Sequence, residues 1–314
     1  MNMDVGHKPG YGLEERAASK RAGKKASFSD VVILVVLIAL ALMCLIPILN
    51  TIAISFSDKV SAQIGRVFIW PVNANLAPYQ ELLKDVRFFR SFAVSVIRVL
   101  VGASINVLIT ILTAYPLSKG REKFPSKNRY MWFIVALMLF DGGMVPTYIL
   151  VSKLGLVNTL WALVLPGAVP IFNCIILMNY YKTIPPSLEE AALIDGAGPW
   201  YTLLRIYIPL AKPSIAVMAL WSIVYHWNDF FSGLIYITNR QNYPLQTYIH
   251  SLTVSVDWQN MSGMSGEQMA RMMSVSNLTF NSAKVIISMI PIMCIYPFLQ
   301  RYFVTGIVMG AVKE

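Results

Sequence analysis

Six apolar runs dominate this chain: Val31–Ile54, Phe92–Leu117, Met131–Val151, Thr159–Tyr181, Ser214–Ile237 and Val285–Val304. Each is near or above the roughly 20 residues that a helix needs to cross about 30 Å of hydrocarbon. Inside lipid every backbone N–H and C=O must find a partner within the protein, which leaves helices or a closed barrel, and none of the runs shows the period-two alternation of a membrane strand. The expected fold is therefore an all-α integral membrane protein with six transmembrane helices. Hydrophobic residues make up 56% of the sequence and charged ones 13%, a balance foreign to a soluble globule.

The net charge of +10 does not indicate nucleic acid, because the cations sit at the ends of apolar runs rather than along one continuous surface. They report topology instead. With the N-terminus inside, sixteen Lys and Arg residues fall on inner segments and eight on outer loops, so both termini are expected in the cytoplasm. Residues 1–30 are too polar for a cleavable signal, and the run at 31–54 lacks a following small-residue cleavage site, so the first helix is expected to stay. Cys44, Cys174 and Cys294 lie in three different runs and read as small hydrophobes, not as a disulfide or zinc set.

These boundaries give a basic tail at 1–30 near anionic lipid, a first helix at 31–54, an outer loop at 55–91 and a helical core at 92–304, followed by a cytoplasmic tail at 305–314. A second outer loop occupies 238–284 and is rich in Met, Ser and Gly over 261–276. Residues 184–213, between the fourth and fifth runs, read as two short helices joined by a turn. Ser187 and Glu190 have the spacing of a capping box, Glu189 and Glu190 suit the positive helix end, and Gly196 supplies a stop. Gly198-Pro199 starts the second helix, and Pro209 ends its apolar pattern. A nine-residue helix is too short to be stable alone, so a partner surface is expected to hold it, and the small face of Ala191, Ala192 and Asp195 permits close approach.

Glu190-Ala191-Ala192, three residues, Gly196, nine residues and then Ile206-Tyr207-Ile208-Pro209 resembles the EAA loop of ABC importer permeases of the binding-protein-dependent, MetI-like superfamily. Ile208 replaces the usual leucine. Tyr243-Pro244-Leu245-Gln246 and the ending Tyr296–Phe303 are similar to carbohydrate-uptake permeases, the MalG-like and LplC/YtcP-like branch in particular, and the likeness covers residues 30–314. The resemblance implies six helices of that permease type and a coupling helix in which Glu189, Glu190, Ala191, Ala192, Asp195, Gly196 and Ala197, backed by Ile206 and Pro209, seat in a cytoplasmic ATPase. It also implies a second permease subunit, two copies of the ATPase, and an extracytoplasmic solute-binding protein, in the cytoplasmic membrane of a prokaryote. The chain has no G-x4-G-K-[ST] loop, so no cofactor is expected on it, and ATP and magnesium belong to the partner. It is expected to be a transport subunit, not an enzyme.

Polar groups inside the apolar runs are candidates for the substrate path. Asp141 lies mid-run beside Gly142-Gly143 and ahead of Pro146, where a loosened helix can line a cavity. Trp221, Tyr225, Asn228 and Ser232 repeat at helical spacing, and Asp229 adjoins them. Aromatic rings cover the apolar faces of a sugar while amides and carboxylates sort its hydroxyls. Asn173 serves equally well as a path residue or as a hydrogen bond between helices, and the aromatic residues serve equally well for packing. Arg98, near the outer end of its run, is expected to reach the headgroups. Two other classes fit the sequence less well. An ion-coupled transporter using Asp141 and Asp229 leaves the 184–213 loop unexplained, and a membrane enzyme lacks a constellation, since His7, His226 and His250 have no ligand spacing.

Overall fold

The computed structural model describes residues 28–254 and 277–311. The basic tail up to residue 27, the Met/Ser/Gly-rich stretch at 261–276 and the last three residues lie outside the described residues. Helix α1, Phe28–Ser55, is exposed along almost its whole length and packs through its later turns on the last helix. The Asn50 side chain donates to the carbonyls of Val67 and Phe68 at 3.1 and 2.7 Å, which ties down the segment that follows. That segment carries α2, Lys59–Gln63, and α3, Ala77–Lys84, so the expected loop at 55–91 is partly helical. Asp85 then caps α4, Val86–Ser118, by accepting from the amides of Arg87 and Phe88.

Helix α4 is the centre of the molecule, with 33 residues and about 50 Å of length at 1.5 Å per residue. The next apolar run is not one helix. It is α5, Lys127–Leu139, and α6, Met144–Lys153, bent by 114°. Asp141 causes the break, because its carboxylate accepts from the Gly143 amide at 2.9 Å, and Gly143 takes a φ of +84° that side-chain-bearing residues avoid. The run at 159–181 is likewise divided into α7, Leu160–Val164, a 3-10 turn at Leu165–Gly167, and α8, Ile171–Lys182, bent by 48°. Pro166 and Pro170 supply the physical reason, since neither has an N–H to continue the ladder.

The inter-run loop contains α9, Pro186–Ile194, then α10, Pro199–Thr202, a π turn at Leu203–Tyr207 and α11, Ile208–Leu210. Two expectations change here. The capping box does not form: Pro186 occupies the first helical position with Pro185 as the cap, so Ser187 already lies inside the first turn. Pro209 does not end the second helix but sits within α11. Its missing N–H would have donated to the Arg205 carbonyl, and the chain accommodates the loss by widening into the π turn before it. Gly196 behaves as the sequence implies, with φ +79°, its amide bonded to Leu193 O at 3.0 Å and the Ala197 amide to Ala192 O at 2.9 Å, a Schellman stop.

Helix α12, Lys212–Asn228, leaves the loop at 82°. It is interrupted at Asp229-Phe230 before α13, Phe231–Tyr236. After a 3-10 turn at Arg240–Asn242 come α14, Leu245–Val254, and α15, Asn277–Ala311, which contains Pro291 and Pro297 and runs through the expected boundary at 304. Among the described residues, three uninterrupted helices and three bent pairs are long and apolar enough for up to six crossings.

Helix α4 packs against α8 and α12, and α15 packs against α12 and α1. One core cluster, built on Ala114, Tyr115, Leu177, Tyr181 and Tyr207, lies at the loop end. Another, built on Leu82, Phe88, Trp227 and Leu245, lies at the opposite end. There Lys284 of α15 is buried, 2.9 Å from the Asp85 carboxylate and 3.0 Å from the Tyr248 hydroxyl, with the Phe280 ring 3.9 Å away. This knot joins the start of α4 to α14 and α15.

Candidate functional site

The nine residues of α9 are held from behind. Glu189 points inward and meets Lys119 Nζ at 3.0 Å, Lys123 Nζ at 3.2 Å and the Tyr207 hydroxyl at 3.0 Å. Lys119 in turn lies over the rings of Tyr115 and Tyr207, 4.0 and 3.8 Å from their centroids. The three tyrosines Tyr115, Tyr181 and Tyr207 pack edge to face. Burial pushes the Glu189 carboxyl up, but hydrogen bonds from Lys119 and Tyr207 and the charge of Lys119 outweigh it and hold the carboxyl below its ordinary value of 4.5.

With Glu189 drawn inward, the other face of the loop is open. Leu188, Ala191, Asp195 and Gly196 border a cleft of about 630 Å³, closed on its far side by Tyr201 and Arg205. Ala192, Ala197 and Ile206 form its floor and are buried or half-buried, whereas Glu190 and Pro209 are exposed and lie outside it. Sequence reasoning stressed Glu190; the structure gives the anchoring role to its neighbour Glu189.

A second cavity, about 370 Å³, opens halfway along α12 at the break between α7 and α8. Asn106, Gly167, Asn173, Trp221, Ser222 and Tyr225 line it, and Phe172 stacks on Trp221 with ring centroids 5.8 Å apart. Three expected path residues, Asn173, Trp221 and Tyr225, thus meet in one place. The other three do not line it. Asp141 is exposed and occupied with Gly143, Asn228 is exposed at the end of α12, and Asp229 is engaged elsewhere.

Asp229 pairs with Arg98, and the expectation that Arg98 reaches the headgroups is overturned. The Arg98 side chain is fully buried, its guanidinium donating to the Asp229 carboxylate, to Asp229 O at 2.8 Å and to Leu163 O at 3.2 Å. An arginine among apolar neighbours is costly without a counter-charge, and the carboxylate at the broken end of α12 supplies one. Two turns along α4, Asn106 donates to Gly167 O at 2.8 Å and accepts from His226 Nε2 at 2.7 Å. Between them, Gly102 lets the His226 ring approach so closely that an added Cβ would lie 2.5 Å from Nε2. Gly102→Ala is expected to destabilise the chain by about 1–3 kcal/mol through overpacking, read as a lower melting temperature in detergent, and an unchanged melting temperature would show that His226 can move aside.

Comparison with known proteins adds the following. Residues 95–309 match the family described as the binding-protein-dependent transport system inner membrane component. Protein LplC of Bacillus subtilis (strain 168) is 37% identical over 269 residues, covering 86% of this chain and 89% of that protein. The polygalacturonan/rhamnogalacturonan transport system permease protein YtcP of the same organism is 33% identical over 287 residues, covering 90% of this chain and 98% of YtcP. Among solved structures, a chain of a bacterial ABC transporter involved in the import of the acidic polysaccharide alginate superposes with a TM-score of 0.79 at 30% identity, over 94% of this chain and 100% of that one.

Proposed function

The chain belongs to the family of binding-protein-dependent transport system inner membrane components, and from that premise we propose that it forms half of the path by which an ABC importer carries a sugar or oligosaccharide into a prokaryotic cell. The open cleft beneath α9, with its small side chains outward and Glu189 holding it from behind, carries this reading. A protein groove fits against such a face, and the occupant is a cytoplasmic ATPase, which binds the ATP and magnesium. Closure of two ATPase copies pushes on this loop and, through Glu189, on the end of α4.

The loop end carries Lys119, Arg121, Lys123, Lys127 and Lys182, which supports a cytoplasmic placement for it and for both termini. The exposed apolar surface of α5 and α6 suits lipid and a second permease subunit that completes the path. The opposite end, knotted at Asp85 and Lys284, faces an extracytoplasmic solute-binding protein. The convergence of the Asn173 amide with the aromatic faces of Trp221 and Tyr225 supports a sugar path through the mid-helix cavity.

Reconstitution with the partner permease and ATPase tests the reading. Gly196→Leu forces a side chain into φ +79° at a cost of about 1–2 kcal/mol and adds bulk at the cleft. The expected result is a chain that inserts normally while uptake is lost and ATP hydrolysis no longer responds to transport. Undiminished uptake by this variant would remove the loop from the coupling path.

A further inference from the structure

Among the described residues no charged side chain lines the mid-helix cavity, and its polar groups are partly unused. Asn106 is engaged through both its amide nitrogen and its amide oxygen. Its Nδ2 must donate to Gly167 O, so its Oδ1 faces His226, Nε2 of that ring carries the hydrogen, and Nδ1 is left as a bare acceptor. His226 Nδ1 is buried without a hydrogen-bond partner. The same is true of Ser222 Oγ, one turn earlier on α12 and on the cavity wall. Asn173, also on the wall, makes no side-chain hydrogen bond among the described residues. Buried polar groups in folded proteins are otherwise nearly always satisfied, so the unpartnered Ser222 hydroxyl on the cavity wall is a group whose bonding a guest completes once the side chain turns toward it. Trp221 and Tyr225, 40% and 53% exposed, supply the flat apolar faces.

The available groups also limit the charge of the guest. A carboxylate brought into this space needs a cation, and the buried Arg98 already holds Asp229 and Leu163 O. We propose that the cavity takes an uncharged, hydroxyl-bearing sugar ring and excludes a uronate from that position, with the Ser222 hydroxyl bonding the ring. The proposal rests on the cavity's being part of the sugar path, as read above.

The test uses the assembled importer in lipid nanodiscs and follows tryptophan fluorescence on adding maltopentaose, a galacturonan pentamer, or the same pentamer fully methyl-esterified. Uncharged probes are expected to quench Trp221, with the free acid bound at least about tenfold more weakly than its ester, and Ser222→Ala is expected to weaken the uncharged probes by about tenfold. Trp221→Phe removes the signal and locates it, and a melting curve for each variant confirms folding. If the free acid binds as well as its ester, the choice of an uncharged ring is overturned while the cavity remains a sugar site. If no saccharide produces a response, or the response survives both substitutions, the cavity is not on the sugar path, and the underlying reading fails with the proposal.

Discussion

Glu189→Ala is expected to abolish productive coupling, with uptake falling well over tenfold while the chain still reaches the membrane. The side chains of Glu189 and Lys119 are only 13% and 10% exposed, so removing the carboxylate leaves a nearly buried ammonium without its counter-charge. For a buried pair broken on one side the cost is on the order of 3–5 kcal/mol, large against the little that a nine-residue helix contributes by itself. Glu189→Gln keeps the shape and one hydrogen bond from Lys119 or Tyr207, and is expected to fall between alanine and the unaltered chain. The measurements are uptake and transport-stimulated ATP hydrolysis in proteoliposomes, normalised to chain abundance, and full coupling in Glu189→Ala would show that α9 is anchored elsewhere. The pH dependence has a definite sign. Because the folded-state carboxyl titrates below its ordinary 4.5, the anchor is fully present above that value and is lost as the pH falls through the lowered one. Coupling should therefore be insensitive to this group at neutral pH and fail only on strong acidification.

Asp229→Ala and Arg98→Ala should each remove most folded protein, by about 3–5 kcal/mol, since either leaves a buried charge unpaired. The pair differs from a simple bridge, because Arg98 also satisfies Asp229 O and Leu163 O at two helix breaks. Arg98→Lys keeps the charge but cannot span three acceptors, so it should recover part of the stability only. Replacing both residues with leucine is expected to be milder than either single alanine change, as apolar pairs often match buried ion pairs. Melting temperatures in detergent give the comparison. If Asp229→Ala melts normally and changes only saccharide affinity, the carboxylate contacts sugar after all.

How much of this was legible in the sequence depended on whether a signal was local. The apolar runs and the Gly196 stop could be read because helix length and left-handed backbone are properties of a few consecutive residues. The breaks were half visible. Asp141-Gly142-Gly143 was noted as a loose point, but a 114° bend required the Asp141 carboxylate to take the Gly143 amide, and Pro166 and Pro170 went unused. The pairs were not visible because each joins residues far apart in sequence: Arg98 with Asp229, Asp85 with Lys284, Lys119 with Glu189. A signal did exist. Lone opposite charges at similar depths in different apolar runs are candidates for one another before they are candidates for lipid or sugar. Of the aromatic stripe, Trp221 and Tyr225 share the cavity wall, and Ser232 departs from it because α12 stops at Asn228.

Arg98, Gly102, Asn106 and Thr110 recur every fourth residue on one face of α4, all buried, and the three with contacts described above touch α12 or its broken end. Arg98 and Asn106 also grip the carbonyls at either end of the α7 turn. Mechanically this makes α4 a keel: the two interrupted helices that wall the cavity are bolted to it at successive levels, so neither can swing without the other. Among the described residues the bent α5–α6 pair is tied to α4 only near the C-terminal end of α4, where Lys127 donates to the Lys119 carbonyl. Amide protons in the middle of α4 should be among the last of the described residues to exchange with heavy water, and whatever widens the cavity does so by carrying that whole wall as one body.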